Sequence, residues 1–207
     1  MFISKLKKSS SVVSQHGRSM IEMLGVLAIV GVLSMGGVAG YSKAMGKFRV
    51  NRASDQISQL AQNIRTLYLG QRKYSDLTET VIKKSHLAPE EMYEDTSSLS
   101  LVNPFGGSVW VGTSGKKSLT DSRAFVIYSY NIPQEACIEI LTQDWGTGTT
   151  SGLIAFGAAD TSTANALFGC SNDSGGTRCS KAGVMSVAQA VGICTNEVSN
   201  GIMWKFY

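Results

Sequence analysis

Charge, proline and histidine are all scarce in this chain, and each shortage closes off a class of function. Charged residues make up only 16% of the 207, against 43% hydrophobic, the balance of a folded protein with room for one medium domain and an extended element. The basic excess, +4, is gathered at the front, where Lys5, Lys7 and Lys8 stand with no acid near them. With those three set aside, 16 of the 19 basic residues remain against 15 acidic ones. A body so nearly neutral lacks the dense basic patch that displaces counterions from phosphates, which argues against nucleic acid as a direct ligand of the head. Histidine occurs twice, at His16 and His86, and no C-x-x-C pair exists, so a zinc site has little to build on. The stretch GTGTTSG, 146–152, lacks the lysine of a phosphate loop and reads as a solvated loop. Asp173 is one acid in a loop and reads as part of a turn rather than a cation ligand. No catalytic, metal or cofactor site is expected.

Proline is also missing from all of residues 20–70, and here the pattern is strongest. HGRSMIEMLGVLAIVGVL, residues 16–33, opens an apolar run with one acid, Glu22, near its front. An ionisable group is costly at membrane depth, so its presence points to function. From Met23 to Ser42, 20 consecutive residues carry no charge. At 1.5 Å rise they give about 30 Å, the thickness of a bilayer core. A secretory signal would have a shorter apolar core and a small-residue cleavage site, which SMGGVAG imitates; against that alternative, the apolar face continues past the place where a signal ends. Beyond Tyr41, Ile57, Leu60, Ala61, Ile64, Leu67 and Tyr68 recur at helical spacing and form one stripe. Lys43, Lys47, Arg49 and Arg52 lie between run and stripe as a basic collar at the expected membrane boundary. The pattern predicts one helix of about 50 residues, roughly 75 Å long, a stalk whose second half offers a face to a soluble head. Basic residues flank the run almost equally and do not orient it.

All four cysteines, Cys137, Cys170, Cys179 and Cys194, fall in the last third of the chain. An even number in one region, beyond a membrane-entering segment, reads as disulfides made in an oxidising compartment, with reduced core thiols as the plainer alternative. Three pairings are open. Oxidation puts this region on the outer side of the membrane.

Gly17 followed by Glu22, with a basic leader before and an unbroken apolar helix after, resembles the prepilin processing site of type IV pilins and pseudopilins. The resemblance implies that a prepilin peptidase cuts between Gly17 and Arg18 on the cytoplasmic face and methylates the new amino terminus. Residues 1–17, His16 among them, would leave as the leader, and Glu22 would become the fifth residue of the mature chain. His86 alone, in a polar turn, is poor ground for a Ser-His hydrolase. The resemblance also implies that Glu22 pairs with the amino terminus of a neighbouring subunit during assembly. A carboxylate in an apolar bundle is tolerated when a cation docks against it and costly when none does. The family usually has Phe, Met or another apolar residue just after the cut, and Arg18 departs from that. Pilins of this family partly unwind this part of the helix on entering the fibre, many of them near a proline. Here Gly31, Gly36, Gly37 and Gly40 would supply the looseness, or let helices approach closely, since Gly36 and Gly40 are spaced G-x-x-x-G. Glycine is also simply common in membrane helices.

The head reads as short elements. YSDLTETVIKKSHLAPEEMYED predicts a helix capped by Ser75 or Asp76 and ended before Pro89. NPFGGSVWVG predicts a turn and a strand with Val109 and Val111 on one face, and RAFVIYSYNIP a second strand closed by Pro133. EACIEILTQ predicts a helix with Cys137, Ile140 and Leu141 inward. Residues 145–183, rich in Gly, Ser, Thr and Asn, predict long loops. SVAQAVGICTN predicts a short helix, and GIMWKFY a strand with Ile202, Trp204 and Phe206 alternating. Trp110 and Trp145 are candidate surface aromatics, whereas Trp204 reads as packing. This order of elements resembles the type IVb pilins, thin-pilus pilins of conjugative systems above all. That resemblance implies a Cys137–Cys194 disulfide closing a long loop and a Cys170–Cys179 disulfide pinning a smaller one.

The fold class expected is α+β, a type IV pilin fold with a long N-terminal helix, a small antiparallel sheet and a disulfide-tied C-terminal region. Its parts are a leader, 1–17, an apolar half-helix, 18–42, an amphipathic half-helix, 43–70, and a head, 71–207. The function implied is a structural subunit of a type IVb-like pilus, held in the inner membrane as precursor and then polymerised into an extracellular fibre. Implied partners are copies of itself, prepilin peptidase and the inner-membrane pilus assembly machinery. A pseudopilin or minor pilin of a type II secretion-like system would share the leader. A membrane-anchored periplasmic binding domain that never polymerises is the alternative of a different kind.

Overall fold

The computed structural model describes residues 20–71, 73–94, 100–114, 122–146, 151–160, 179–180 and 184–207. The chain divides into two compact units, one ending at Lys43 and the other running from Ala44 to Tyr207.

Helix α1, Met20–Leu67, contributes to both. In the first unit every described residue of α1 is exposed, and none of its apolar stretch is buried among the described residues. In the second unit the helix becomes one-sided: Val50, Ala53, Ile57, Leu60, Ala61 and Ile64 are buried at three- and four-residue steps. Tyr68 continues that face just beyond the helix, but Leu67 does not. Leu67 is 45% exposed, against the expectation that it belongs to the stripe. The helix also stops there, three residues earlier than the expected 43–70 half, and Tyr68–Gly70 is a turn.

Six strands form one antiparallel sheet in the second unit: β1 Leu101–Val102, β2 Ser108–Ser114, β3 Ala124–Ile132, β4 Leu153–Asp160, β5 Cys179–Ser180 and β6 Asn200–Phe206. Their order is β1-β2-β3-β6-β4-β5, so the last strand of the chain inserts between β3 and β4. A central strand is covered on both faces and needs apolar residues on both. NGIMWKF meets that demand, because all seven of its residues are buried. Ile202, Trp204 and Phe206 join Phe125, Ile127 and Phe156 in the main core facing α1 and α3, while Met203 joins Val126, Tyr128 and Ala155 on the opposite face.

β4 and β5 lie inside 145–183, where long loops are expected, and this is a correction. LIAFGAAD has small residues and glycine that lower its strand signal, yet β4 pairs with β6 from Leu153 to Asp160. Pairing with an already buried strand decides its conformation. Strand β1, which pairs with β2, also goes beyond the sequence reading.

Helix α2, Glu79–Lys84, is capped by Thr78 rather than Ser75 or Asp76. The Thr78 hydroxyl accepts the Val81 N–H at 3.3 Å, and Lys83 and Lys84 sit in the last turn where the helix dipole favours cations. The helix closes through Leu87 N–H to Ile82 C=O at 3.0 Å and His86 N–H to Lys83 C=O at 3.2 Å. That is a Schellman closure, with His86 at φ 47° in the position glycine usually fills. Helices α3, Gln134–Thr142, and α4, Val187–Ile193, match the two predicted helical runs, and Ala136, Cys137, Ile140 and Leu141 are the buried side of α3.

Candidate functional site

The candidate functional features lie on α1 and on the part of the head packed against its second half. Gly17 and Arg18, the expected processing residues, lie outside the described residues. Glu22 is in the first turn of α1 and exposed, followed by large apolar side chains from Met23 to Tyr41 that are all exposed as well. Among the described residues α1 is the one helix long and apolar enough to cross a membrane. At Gly31, Gly36, Gly37 and Gly40 an added Cβ would meet nothing within 4 Å among the described residues, and the helix runs through all four without a break.

Within the second unit the basic collar divides its work. Lys47 pairs with Glu139 of α3 at 3.6 Å. Arg52 donates from Nη2 and Nε to the two carboxylate oxygens of Glu91 at 2.5 and 3.1 Å, a two-pronged contact that matches the planar guanidinium to the carboxylate. Gln56 adds its amide N–H to Glu91 Oε1 at 3.0 Å. These donors, Arg52 first and Gln56 second, hold the Glu91 carboxyl below its ordinary range. The Arg52 guanidinium also lies 5.9 Å from the centre of the Phe48 ring. A shallow cleft of about 220 Å³ opens between these side chains and Asn103–Pro104.

Asn103 explains the N-P-F-G-G run. Its amide donates to Ser129 Oγ at 2.8 Å and Tyr130 C=O at 2.7 Å, and its Oδ1 accepts from the N–H groups of Phe105 and Gly107 at 2.9 and 3.0 Å. Gly106 adopts φ 78°, and a Cβ on Gly107 would stand 1.9 Å from Tyr130 O, so both glycines are required by the turn.

At the other edge of α3, Cys137 and Cys194 form a disulfide across a sequence separation of 57, with Cα atoms 6.0 Å apart and both residues fully buried. It ties α3 to the end of α4, where Gln134 Nε2 also donates to Cys194 C=O at 2.7 Å. The expected Cys170–Cys179 pair lies outside the described residues: Cys179 opens β5, and Cys170 is not among them. Trp145 packs on Trp204 with ring centres 5.1 Å apart and donates its indole N–H to Ile140 C=O, so it is part of the core edge rather than a free surface aromatic. Trp110, 41% exposed, leans on Tyr128. The Arg52–Glu91–Gln56 contact and the hydrogen bonds of the Asn103 side chain are absent from the sequence reading, although the turn itself is expected there. The NPFGG composition was the available signal for the turn, but Glu91 comes to Arg52 across 39 residues, which no spacing rule reports.

Comparison with known proteins adds four findings. The profile of the Bundlin family matches residues 43–199. The major structural subunit of the bundle-forming pilus of Escherichia coli O111:H- is 25% identical over 192 residues, covering 93% of this chain and 94% of the relative. The subunit of the same name from Escherichia coli O127:H6 matches at the same identity and extent. A solved type IV b pilin from Salmonella typhi is 19% identical, with a TM-score of 0.48, over 73% of this chain and 95% of that one. An apolar N-terminal helix continued into a disulfide-tied α+β head, with the family match across that head, defines the class as a type IV pilin. The chain belongs to the Bundlin family.

Proposed function

We propose that the chain is a pilus structural subunit that is processed at Gly17–Arg18, N-methylated, and polymerised through the apolar half of α1 into an extracellular fibre. The observation that carries this reading is the pairing of a family match across the head with a membrane-length apolar helix that is exposed along its apolar length among the described residues. Such a surface is stable in lipid or against other copies of the same helix, and in water it is not. In this reading Glu22 is the charged point of that surface, and the cation it needs is the amino terminus of a neighbouring copy. The four open glycines are then places where another helix approaches or where α1 loosens on leaving the membrane. Prepilin peptidase and the inner-membrane assembly machinery are the partners this route requires. Residues 1–17, 18–42, 43–70 and 71–207 act in it as leader, assembly half, amphipathic half and head.

Intact mass of the protein recovered from sheared cell-surface material tests the proposal, measured with and without reductant. A chain beginning at Arg18, one methyl group heavier than its sequence, is the expected result. A chain that stays in the membrane fraction with residues 1–17 still attached would reject it and favour an anchored domain that does not polymerise.

A further inference from the structure

We infer that the cleft beside Arg52 and Glu91 is a phospholipid site, in which Arg49 takes the phosphodiester of a headgroup and Glu91 its ammonium; this rests on the membrane-held precursor of the reading above, not on the fibre. The cleft lies wholly within the second unit, and Met45, Phe48, Arg49, Arg52 and Gln56 line it from one face of α1, at steps of three and four residues. Two of the collar cations are already used, Lys47 by Glu139 and Arg52 by Glu91. Arg49 is exposed and makes no ion pair or side-chain hydrogen bond among the described residues. Glu91 keeps room for another donor. Its Oε1 accepts from Arg52 Nε and from Gln56, its Oε2 from Arg52 Nη2, and its side chain is still 43% exposed. A carboxylate oxygen can accept twice, so Oε2 is open to one more N–H. The cleft thus offers a cation and an acceptor together.

Its place along α1 names the source of the ligand. The oxidised cysteines put the head on the outer side of the membrane, the side on which the positive-inside rule leaves few Lys and Arg near a span. An unpaired arginine there is unexplained by topology. Arg49 is the seventh residue after Ser42, where the uncharged run ends, about 10 Å of helix further on. The headgroup layer reaches about 5–8 Å beyond the apolar core of a bilayer. A helical side chain leans toward the N-terminal end of its own helix, which brings the long Arg49 side chain back toward that layer. Met45 and Phe48, the latter 53% exposed, add apolar surface beside the charges, as the glycerol end of a lipid requires.

The charges select the headgroup. A purely anionic one would meet Arg49 but also the exposed carboxylate of Glu91. A choline headgroup balances both charges, yet its quaternary nitrogen has no N–H to give Oε2. A phosphoethanolamine headgroup satisfies both ends with charge-assisted hydrogen bonds. A soluble phosphoethanolamine ester has the same polar groups, but it lacks the apolar part that Met45 and Phe48 would cover. The lipid is also held beside the cleft by the bilayer itself, so a weak contact fills at high effective concentration. Filled, the site ties the second half of α1 to the bilayer surface for as long as the first half remains in lipid.

The test titrates the full chain, in micelles of an uncharged sugar detergent, with dihexanoyl lipids followed by calorimetry. Phosphatidylethanolamine binds at least about tenfold tighter than phosphatidylcholine or phosphatidylglycerol with the same chains, and than glycerophosphoethanolamine, which has none. Arg49→Gln, with Cys137–Cys194 still oxidised, loses about tenfold in affinity for phosphatidylethanolamine, and Glu91→Gln lowers that lipid to the level of phosphatidylcholine. Lys47→Gln removes the same charge from another face of the helix and leaves the affinity unchanged. In cells, irradiation of a Phe48→p-benzoylphenylalanine chain captures phospholipid. The inference is overturned if the three lipids bind alike, if Arg49→Gln binds like the unmodified chain, or if Lys47→Gln loses as much as Arg49→Gln. Equal binding of glycerophosphoethanolamine would overturn the lipid source, and capture of a second copy of the chain without lipid would give the cleft to that copy instead. An unmodified precursor that alkaline carbonate washes out of the membrane would reject the membrane-held precursor itself, a result separate from every affinity above.

Discussion

Replacing Asn103 with alanine should be among the most damaging single changes available in the head. The residue is only 6% exposed, and its amide uses all four of its hydrogen-bonding capacities: two N–H donations to Ser129 and Tyr130 and two acceptances from Phe105 and Gly107. The contacts to Ser129 and Gly107 are in buried surroundings; those to Tyr130 and Phe105 are partly buried. A buried group left without its partner costs about 1–3 kcal/mol and a partly buried bond about 0.5–1.5, so the sum comes to about 4 kcal/mol after the Ser129 hydroxyl turns to a new partner. That is a large share of the roughly 5–15 kcal/mol that stabilises a typical domain. Asn103→Asp should lie between the two, because it keeps both acceptances but sets a carboxylate oxygen against the Tyr130 carbonyl. Urea unfolding of the detergent-held chain, followed by tryptophan fluorescence, measures both. A loss below about 1 kcal/mol for Asn103→Ala would refute the claim that this turn is held by its side chain.

Three further outcomes are expected. Cys137→Ala with Cys194→Ala should lose about 4 kcal/mol, since the bond closes a loop with a sequence separation of 57, and unfolding curves of the two chains compared without reductant would show it. His86→Gly should stabilise by about 0.5–1 kcal/mol, because the Schellman position at φ 47° strains any side chain; an unchanged or lowered melting temperature would count against it. Lys205 is buried on β6 with no hydrogen-bond partner among the described residues, and burial pulls its amine below the ordinary 10.5. The unfolded chain then binds more protons from the folded pKa up to 10.5, so stability rises with pH across that window, and Lys205→Met should remove the rise and add about 1–3 kcal/mol at neutral pH. Unfolding at pH 7 and at 9.5 checks the sign.

How much of this was legible beforehand depended on the range of the interaction. Local signals did well: the twenty uncharged residues, the stripe from Ile57 to Ile64, the NPFGG turn and the apolar repeats of α3, α4 and β6 each report a period or a dihedral that neighbours in sequence determine. Thr78 in place of Ser75 or Asp76 is an error of a few residues among equally suitable caps, which propensity cannot rank. Leu67 departs from its stripe because the helix ends beneath it and the chain turns at Tyr68. Strand β4 shows the limit most clearly. Its glycine and alanines carry little strand preference, and only β6, lying beside it from 40 residues downstream, gives those backbone groups their partners.

Residue order by itself therefore determined the membrane-length apolar helix, its single acid at Glu22, the α+β character of the head and the presence of cysteines that oxidise. Those properties are sums over short windows, and water, lipid and backbone geometry read them without further help. Tertiary structure alone decided that the last strand is central, that Glu91 meets Arg52, and that α4 turns one apolar face inward and the other out. Each of those depends on which distant segments share a core, and the free energy that selects among them is collective burial, which no local pattern encodes.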